Sequence, residues 1–171
     1  MISSHTSTTL RDQGTAQRGR VPARGAQLLA RGPARMKSPS ARWAVNALAV
    51  SGAALMVWSG VTHLQLWSDG YRSISVIGPL FLIQGIGSIA LAVVLAVSRR
   101  VALLAAGAVT MAATAAGLLL SAGTGLFGFQ ESLAVPYAVS SLVVEFASAA
   151  VLTAAAALVL AGGPGSRAGR R

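Results

Sequence analysis

The sequence predicts an all-α fold: a polytopic membrane protein built as a four-transmembrane-helix bundle behind a disordered basic N-terminal tail. Three observations predict it. Of 171 residues, 54% are hydrophobic and only 11% charged, with a mean hydropathy of +0.65, a balance typical of lipid-embedded chains and foreign to soluble ones. Beyond residue 42 the apolar residues gather in four runs, each near the ~20 residues that carry a helix across ~30 Å of hydrocarbon. The 14 Lys and Arg, set against four Asp and Glu, cluster at the two tails and in one short turn, as cytoplasmic segments do.

Residues 1–42 read as the tail. Eight basic residues (Arg11, Arg18, Arg20, Arg24, Arg31, Arg35, Lys37 and Arg42) stand there against Asp12 alone. Ser, Thr, Gly and Pro interrupt any helical period, and the one apolar patch, 26–30, is too short to fold by itself. Met36 opens a stretch, MKSPSARW, that itself resembles the start of a membrane protein, so residues 1–35 read as a start-site artefact.

The four spans fall at about 43–66, 74–97, 101–122 and 137–161. The breaks between them hold charge or helix breakers: Ser68-Asp69-Gly70 with Tyr71-Arg72, then Ser98-Arg99-Arg100, then the Gly-rich stretch 123–136. The first run exceeds the 7–15 residues of a signal-peptide core, so it is a true span. Trp43 and Trp67 bracket it at a separation of roughly 36 Å of helix, one aromatic anchor for each interface.

Counting Lys and Arg sets the expected orientation. The N-terminal tail, the 98–100 turn and the 162–171 tail, with Arg167, Arg170 and Arg171, hold every basic residue except Arg72. Both termini are therefore expected in the cytoplasm of a cell (plasma) membrane, with the 67–73 and 123–136 loops outside. This topological signal also accounts for the net charge of +10, and with the basic residues dispersed and no aromatic among them before Trp43, no nucleic acid partner is expected.

Glu145 is the most informative side chain. It lies about nine residues into the fourth span, roughly 13 Å below its end, and a carboxyl group at that depth faces a bundle interior and finds a polar partner. Gln84, at similar depth in the second span, is the expected partner. Ser141 and Ser148, at i−4 and i+3 from Glu145, and Ser88, at i+4 from Gln84, place further polar groups on the same faces. Such a set acts either as interhelical glue or as a proton or ligand site.

A second cluster is expected at the outer face: His63 one turn below Trp67, with Asp69, Tyr71, Arg72 and Glu131. No HxxxH or similar ligand spacing accompanies it, so local pairing of Asp69 with Arg72 is preferred to a metal site. Two glycine patterns, 123–128 (GxGxxG) and 85–90 (GxGxxA), lack the strand–turn–helix setting of dinucleotide binding. The second is expected to serve close helix packing, as are Ala108, Ala112 and Ala116 in the third span and the alanines of 149–157. The apolar loop 125–132 is expected to lie on the membrane surface or to lid the bundle mouth with its phenylalanines.

The segments Gly60-Val61-Thr62-His63-Leu64-Gln65-Leu66-Trp67, Tyr71-Arg72, Ile77-Gly78-Pro79-Leu80-Phe81-Leu82 and the GLFGFxE loop ending at Glu131 together resemble a group of uncharacterised small four-helix integral membrane proteins of high-GC bacteria. The resemblance spans about residues 43–161. It implies a compact four-helix bundle and no known activity. The layout is also loosely similar to DoxX-type proteins, but a chain with no Cys has no thiol chemistry, and disulfides, thiolate metal sites and iron–sulfur clusters are excluded with it.

For function, the scattered titratable groups argue against an enzyme, and no cofactor is expected. The leading expectation is a non-enzymatic membrane protein acting through helix packing or contacts with a membrane partner or a second copy. A small proton-coupled transporter or ion pathway using Glu145 is the alternative. A lipid, quinone or haem-associated subunit is the third, although one intramembrane His supplies only one axial haem ligand per monomer. The spatial relation of His63, Gln84, Glu131 and Glu145 discriminates among them: a shared outward-facing cavity favours transport or ligand binding, and a dry core favours packing alone.

Overall fold

A computed structural model of the chain describes residues 23–162. Its helices are α1 (Ala23–Leu29), α2 (Pro39–Ser68), α3 (Ile77–Val97), α4 (Val101–Gly123) and α5 (Pro136–Ala161), with single 3-10 turns at Pro33–Arg35 and Tyr71–Ser73. The last four helices are each long and apolar enough to cross a membrane, within a few residues of the expected limits. The chain is a multi-pass, all-α, four-helix membrane bundle. The end bearing the start of α2, the end of α5 and the 98–100 turn is called the tail end, and the opposite end the loop end.

The largest departure from expectation is at the start. Helix α2 begins four residues early because Ser38 caps it, its hydroxyl accepting from the Ala41 N–H at 3.4 Å, with Pro39 in the first turn. Upstream, α1 and the Pro33–Arg35 turn occupy part of what reads as tail. The Arg31 carbonyl accepts from the Val101 N–H at 2.8 Å, satisfying an orphan donor at the start of α4. Met36 is buried beneath Gly162 at the end of α5. Residues 31–36 thus pack on the bundle, while 25–30 of the preceding helix and turn are exposed. The disordered-tail reading of 1–22, the basic tail beyond 162 and the arginines in both lie outside the described residues.

Helix α2 packs along α3 and α5, and α4 along α5. Small residues set the closest approaches. At the α2–α3 crossing the backbones meet: a Cβ at Gly60 would stand 2.8 Å from the Gly85 carbonyl oxygen, and one at Gly85 3.0 Å from that of Gly60. Gly85 of the GxGxxA pattern is therefore a packing glycine, while a Cβ at Gly87 would meet open space. Leu152 of α5 fills the grooves left by Gly52 of α2 and Gly107 of α4.

The interior is divided along the bundle axis. The apolar core, with Val45 and Met56 of α2, Leu95 of α3, Leu104 and Met111 of α4 and Leu152 of α5 at its centre, lies in the tail half. The buried polar residues Ser59, Thr62, His63, Ser88, Ser121, Ser141, Glu145 and Ser148 all lie from mid-bundle toward the loop end. The alanine faces expected for packing are met only in part: Ala108 and Ala155 are buried, but Ala112 and Ala116 are exposed. The buried face of α4 runs through Leu104, Gly107, Ala108, Met111 and Ala115, an i, i+3/i+4 stripe that takes in Ala108 but passes one position before Ala112 and Ala116.

Candidate functional site

Where the apolar core ends, a cavity of about 670 Å³ begins. Helices α3 and α4, though consecutive, touch sparingly, and the cavity is bordered by their loop-end halves. Leu80, Phe81 and Gln84 come from α3; Thr110, Thr114, Gly117 and Ser121 come from α4. His63 and Leu66 of α2 join the wall, as do Ala138, Ser141 and Glu145 of α5. Leu126, Phe129 and Glu131 of the 124–135 loop, with Tyr71, border it toward the loop end. The lining is mostly apolar with a few convergent polar groups, as in small-molecule sites.

Glu145 is wholly buried. Its Oε1 accepts from the Ser59 hydroxyl of α2 at 3.2 Å, and its Oε2 has no hydrogen-bond partner among the described residues. Ser59 sits nine residues before the end of α2 and Glu145 nine residues after the start of α5, so two helices running in opposite directions bring them to one depth. His63 stands one turn further along α2, its Nδ1 2.8 Å from the Ser59 carbonyl oxygen. A carbonyl only accepts, so Nδ1 carries the proton and a neutral ring leaves Nε2 as an acceptor. Ser148, one of two further buried hydroxyls within a turn of Glu145 on α5, donates to the Gly52 carbonyl at 3.1 Å and ties α5 to α2.

The loop end is an aromatic and hydrogen-bonded cover. Tyr71 donates to Glu131 Oε2 at 2.6 Å, joining the two loops across 60 residues of sequence. Its ring stacks on Phe81 at 4.7 Å and meets Phe129 edge-on at 5.8 Å, and His63 packs against the other neighbour of that stack, Phe81, at 5.0 Å. Glu131 Oε1 accepts from the Ser132 N–H at 2.9 Å. Burial, then the hydrogen bond to Glu131 and its negative charge, push the Tyr71 phenol up from its ordinary value. The loop folds into a tight turn, Leu126 and Phe129 exchanging both backbone hydrogen bonds, with Gly125, Phe127 and Gly128 at positive φ. That turn aims Phe129 into the cavity and leaves Phe127 exposed.

The residues expected to matter thus divide. Glu145, Gln84, His63, Tyr71 and Glu131 border one cavity. Gln84 and Glu145 do not bond: the Gln84 amide donates to Ser88 on its own helix at 3.0 Å, and Ser59 takes the place expected of Gln84. Asp69 and Arg72 do not border the cavity. Asp69 accepts from the Ser68 hydroxyl at 3.3 Å and forms no pair with Arg72, since the chain turns at Gly70, φ 149°, between them. Among the described residues no three His, Asp or Glu side chains converge to hold a metal ion.

Ser59, Phe81 and the α4 wall were not among the expected site residues. Ser59 is four residues from His63, hence on its face; Thr110, Thr114, Gly117 and Ser121 recur at helical spacing on one stripe of α4. Both signals are present in the sequence but indistinguishable there from small-residue packing faces. Comparison with known proteins brings no relative to bear on the site: no family model, curated protein or solved structure matches the chain.

Proposed function

We propose that this membrane protein binds a small, largely apolar molecule in the loop-end cavity and receives its polar group at Glu145. The observation that carries the reading is that His63, Gln84, Glu131 and Glu145, contributed by three helices and a loop, border one cavity instead of lying in a dry core. Its volume, about 670 Å³, is within the roughly 300–1,000 Å³ of small-molecule sites. A carboxylate oxygen left without a partner inside a membrane bundle is costly, and a ligand supplying a donor removes that cost. The reading is of binding and not of catalysis: Ser59 hydrogen-bonds Glu145, but the His63 Nδ1–H goes to the Ser59 backbone carbonyl and not to the hydroxyl or the carboxyl group, so no nucleophile–base–orienter chain links the three.

The excess of Lys and Arg at the tail end supports an orientation with both termini in the cytoplasm of the plasma membrane and the cavity on the outer side. The packed apolar core then closes the cytoplasmic half, so the ligand reaches the site from outside or from the outer leaflet.

The absence of native Cys gives a clean test. Thr114→Cys, on the cavity wall, is expected to react with methyl methanethiosulfonate in native membranes far faster than Ile83→Cys at similar depth on the exposed apolar face of α3, because thiolates form only where water reaches. Equal, slow reaction at both positions refutes the reading.

A further inference from the structure

We infer that the ligand is a protonated amine with an apolar, preferably aromatic, body, its ammonium group on Glu145. The inference rests on the binding reading above and adds the sign of the charge. Three observations carry it. The first is the distribution of charge: two acidic residues border the cavity, Glu131 and Glu145, and among the described residues no Lys or Arg does. A low-dielectric wall that carries carboxyl groups and, among the described residues, no Lys or Arg favours cations over anions.

The second is the set of free acceptors. Glu145 Oε2 is buried without a donor among the described residues. Neutral His63, with Nδ1–H committed to the Ser59 carbonyl, has only the lone pair of Nε2 left to offer. An ammonium N–H is matched by each of these atoms once Glu145 is ionised, whereas a carboxylate or phosphate would place oxygen against oxygen. A quaternary ammonium would satisfy the charge but leave the acceptors unmet.

The third is the aromatic wall. Tyr71, Phe81 and Phe129 pack as a connected group beside His63 and border the same cavity. Ring faces attract a desolvated cation and ring edges pack against an aromatic body. Neither the apolar volume alone nor the carboxylate alone selects an amine; their juxtaposition does.

The test uses the full chain carrying Thr114→Cys in native membranes and three probes that share one ring system: 1-naphthylmethylamine, the neutral 1-naphthylmethanol and the anionic 1-naphthoate. Each is titrated for its ability to slow modification of the cysteine. The amine is expected to protect at roughly 10- to 100-fold lower concentration than the alcohol, the span of a charge-assisted hydrogen bond, and the naphthoate least. Adding Glu145→Gln is expected to cost the amine its advantage, so that amine and alcohol protect at like concentrations within the variant, and protection by either probe reports that the variant cavity is intact. Should that variant not fold, the order of the three probes on the Glu145 protein decides alone. Equal protection by amine and alcohol, better protection by naphthoate, or none by any probe overturns the amine assignment. The first two leave small-molecule binding standing, whereas a cysteine that reacts no faster than a lipid-facing one overturns the binding reading itself.

Discussion

Replacing Gly60 by Ala adds one methyl group at the point where α2 and α3 touch backbone to backbone. The new Cβ would lie 2.8 Å from the Gly85 carbonyl oxygen and 2.8 Å from Ile89 Cγ1. Ile89 has rotamers to escape to; the carbonyl is held in its helix. To restore van der Waals contact the helices must part by on the order of half an ångström, enough to forfeit about a quarter of the dispersion attraction across the crossing. Overpacking of this kind costs about 1–3 kcal/mol, offset by the ~0.5–1 kcal/mol that Ala gains over Gly within a helix. The net expectation is a loss of about 1–2 kcal/mol. Gly87→Ala, two residues from Gly85 but with open space around its Cβ, keeps the helical gain without the clash and is expected to be neutral or slightly stabilising. Equilibrium unfolding of both variants in mixed micelles by titration with a denaturing detergent, followed by circular dichroism, measures the difference. A Gly60→Ala variant as stable as Gly87→Ala would refute the claim that the backbones meet there.

Other expectations follow from the same geometry. Leu152→Ala, in the packed tail half between Gly52 and Gly107, is expected to cost about 2–5 kcal/mol, but Leu118→Ala, on the cavity wall, only ~1 kcal/mol because that side chain already faces space; the same unfolding titration compares them. Ser59→Ala leaves both oxygens of Glu145 without a donor and is expected to cost ~1–3 kcal/mol, while the double variant Ser59→Ala/Glu145→Leu recovers most of it, since replacing both partners removes the unmet group; a double variant no more stable than the single one speaks against the pair. The Tyr71 phenol is held neutral in the native state, so its contribution is complete below ~10, the ordinary phenol value, and falls as pH rises above it, where the unfolded chain releases a proton that the native one retains. Tyr71→Phe is therefore expected to lose about 1 kcal/mol near neutral pH, a discounted figure for a half-buried bond, and to lose the alkaline decline measured in unfolding midpoints between neutral and strongly basic pH.

The chain's own order of residues determines that it is a membrane bundle. Four runs of about twenty apolar residues, separated by Arg, Gly, Pro and Asp, leave the backbone no way to satisfy its hydrogen bonds in lipid except as helices, and the helix limits follow from those breaks. Glu145 was legible for the same reason: a carboxyl group among Val, Phe and Ala is conspicuous in one dimension. The beginning of the bundle was less so. Arg31 and Met36 look like tail because their partners, the Val101 N–H and Gly162, are 70 and 126 positions away.

Only the tertiary structure decided which polar groups meet. Depth along a helix places Gln84 and Glu145 at one level, but azimuth decides partnership, and azimuth depends on how α2, α3 and α5 turn against one another at Gly52, Gly60 and Gly85. That rotation gives Glu145 to Ser59 and turns Gln84 to Ser88. The division of the interior into a packed tail half and a hollow loop half likewise arises from packing: sparse contact between α3 and α4 leaves space that Leu95, Leu104 and Met111 fill at one end and that small and hydroxyl-bearing residues leave open at the other. The sequence does show polar residues gathering in the loop-end halves of α3 and α5, but whether they close on one another or leave space is set by side-chain volume, summed across four helices at each level.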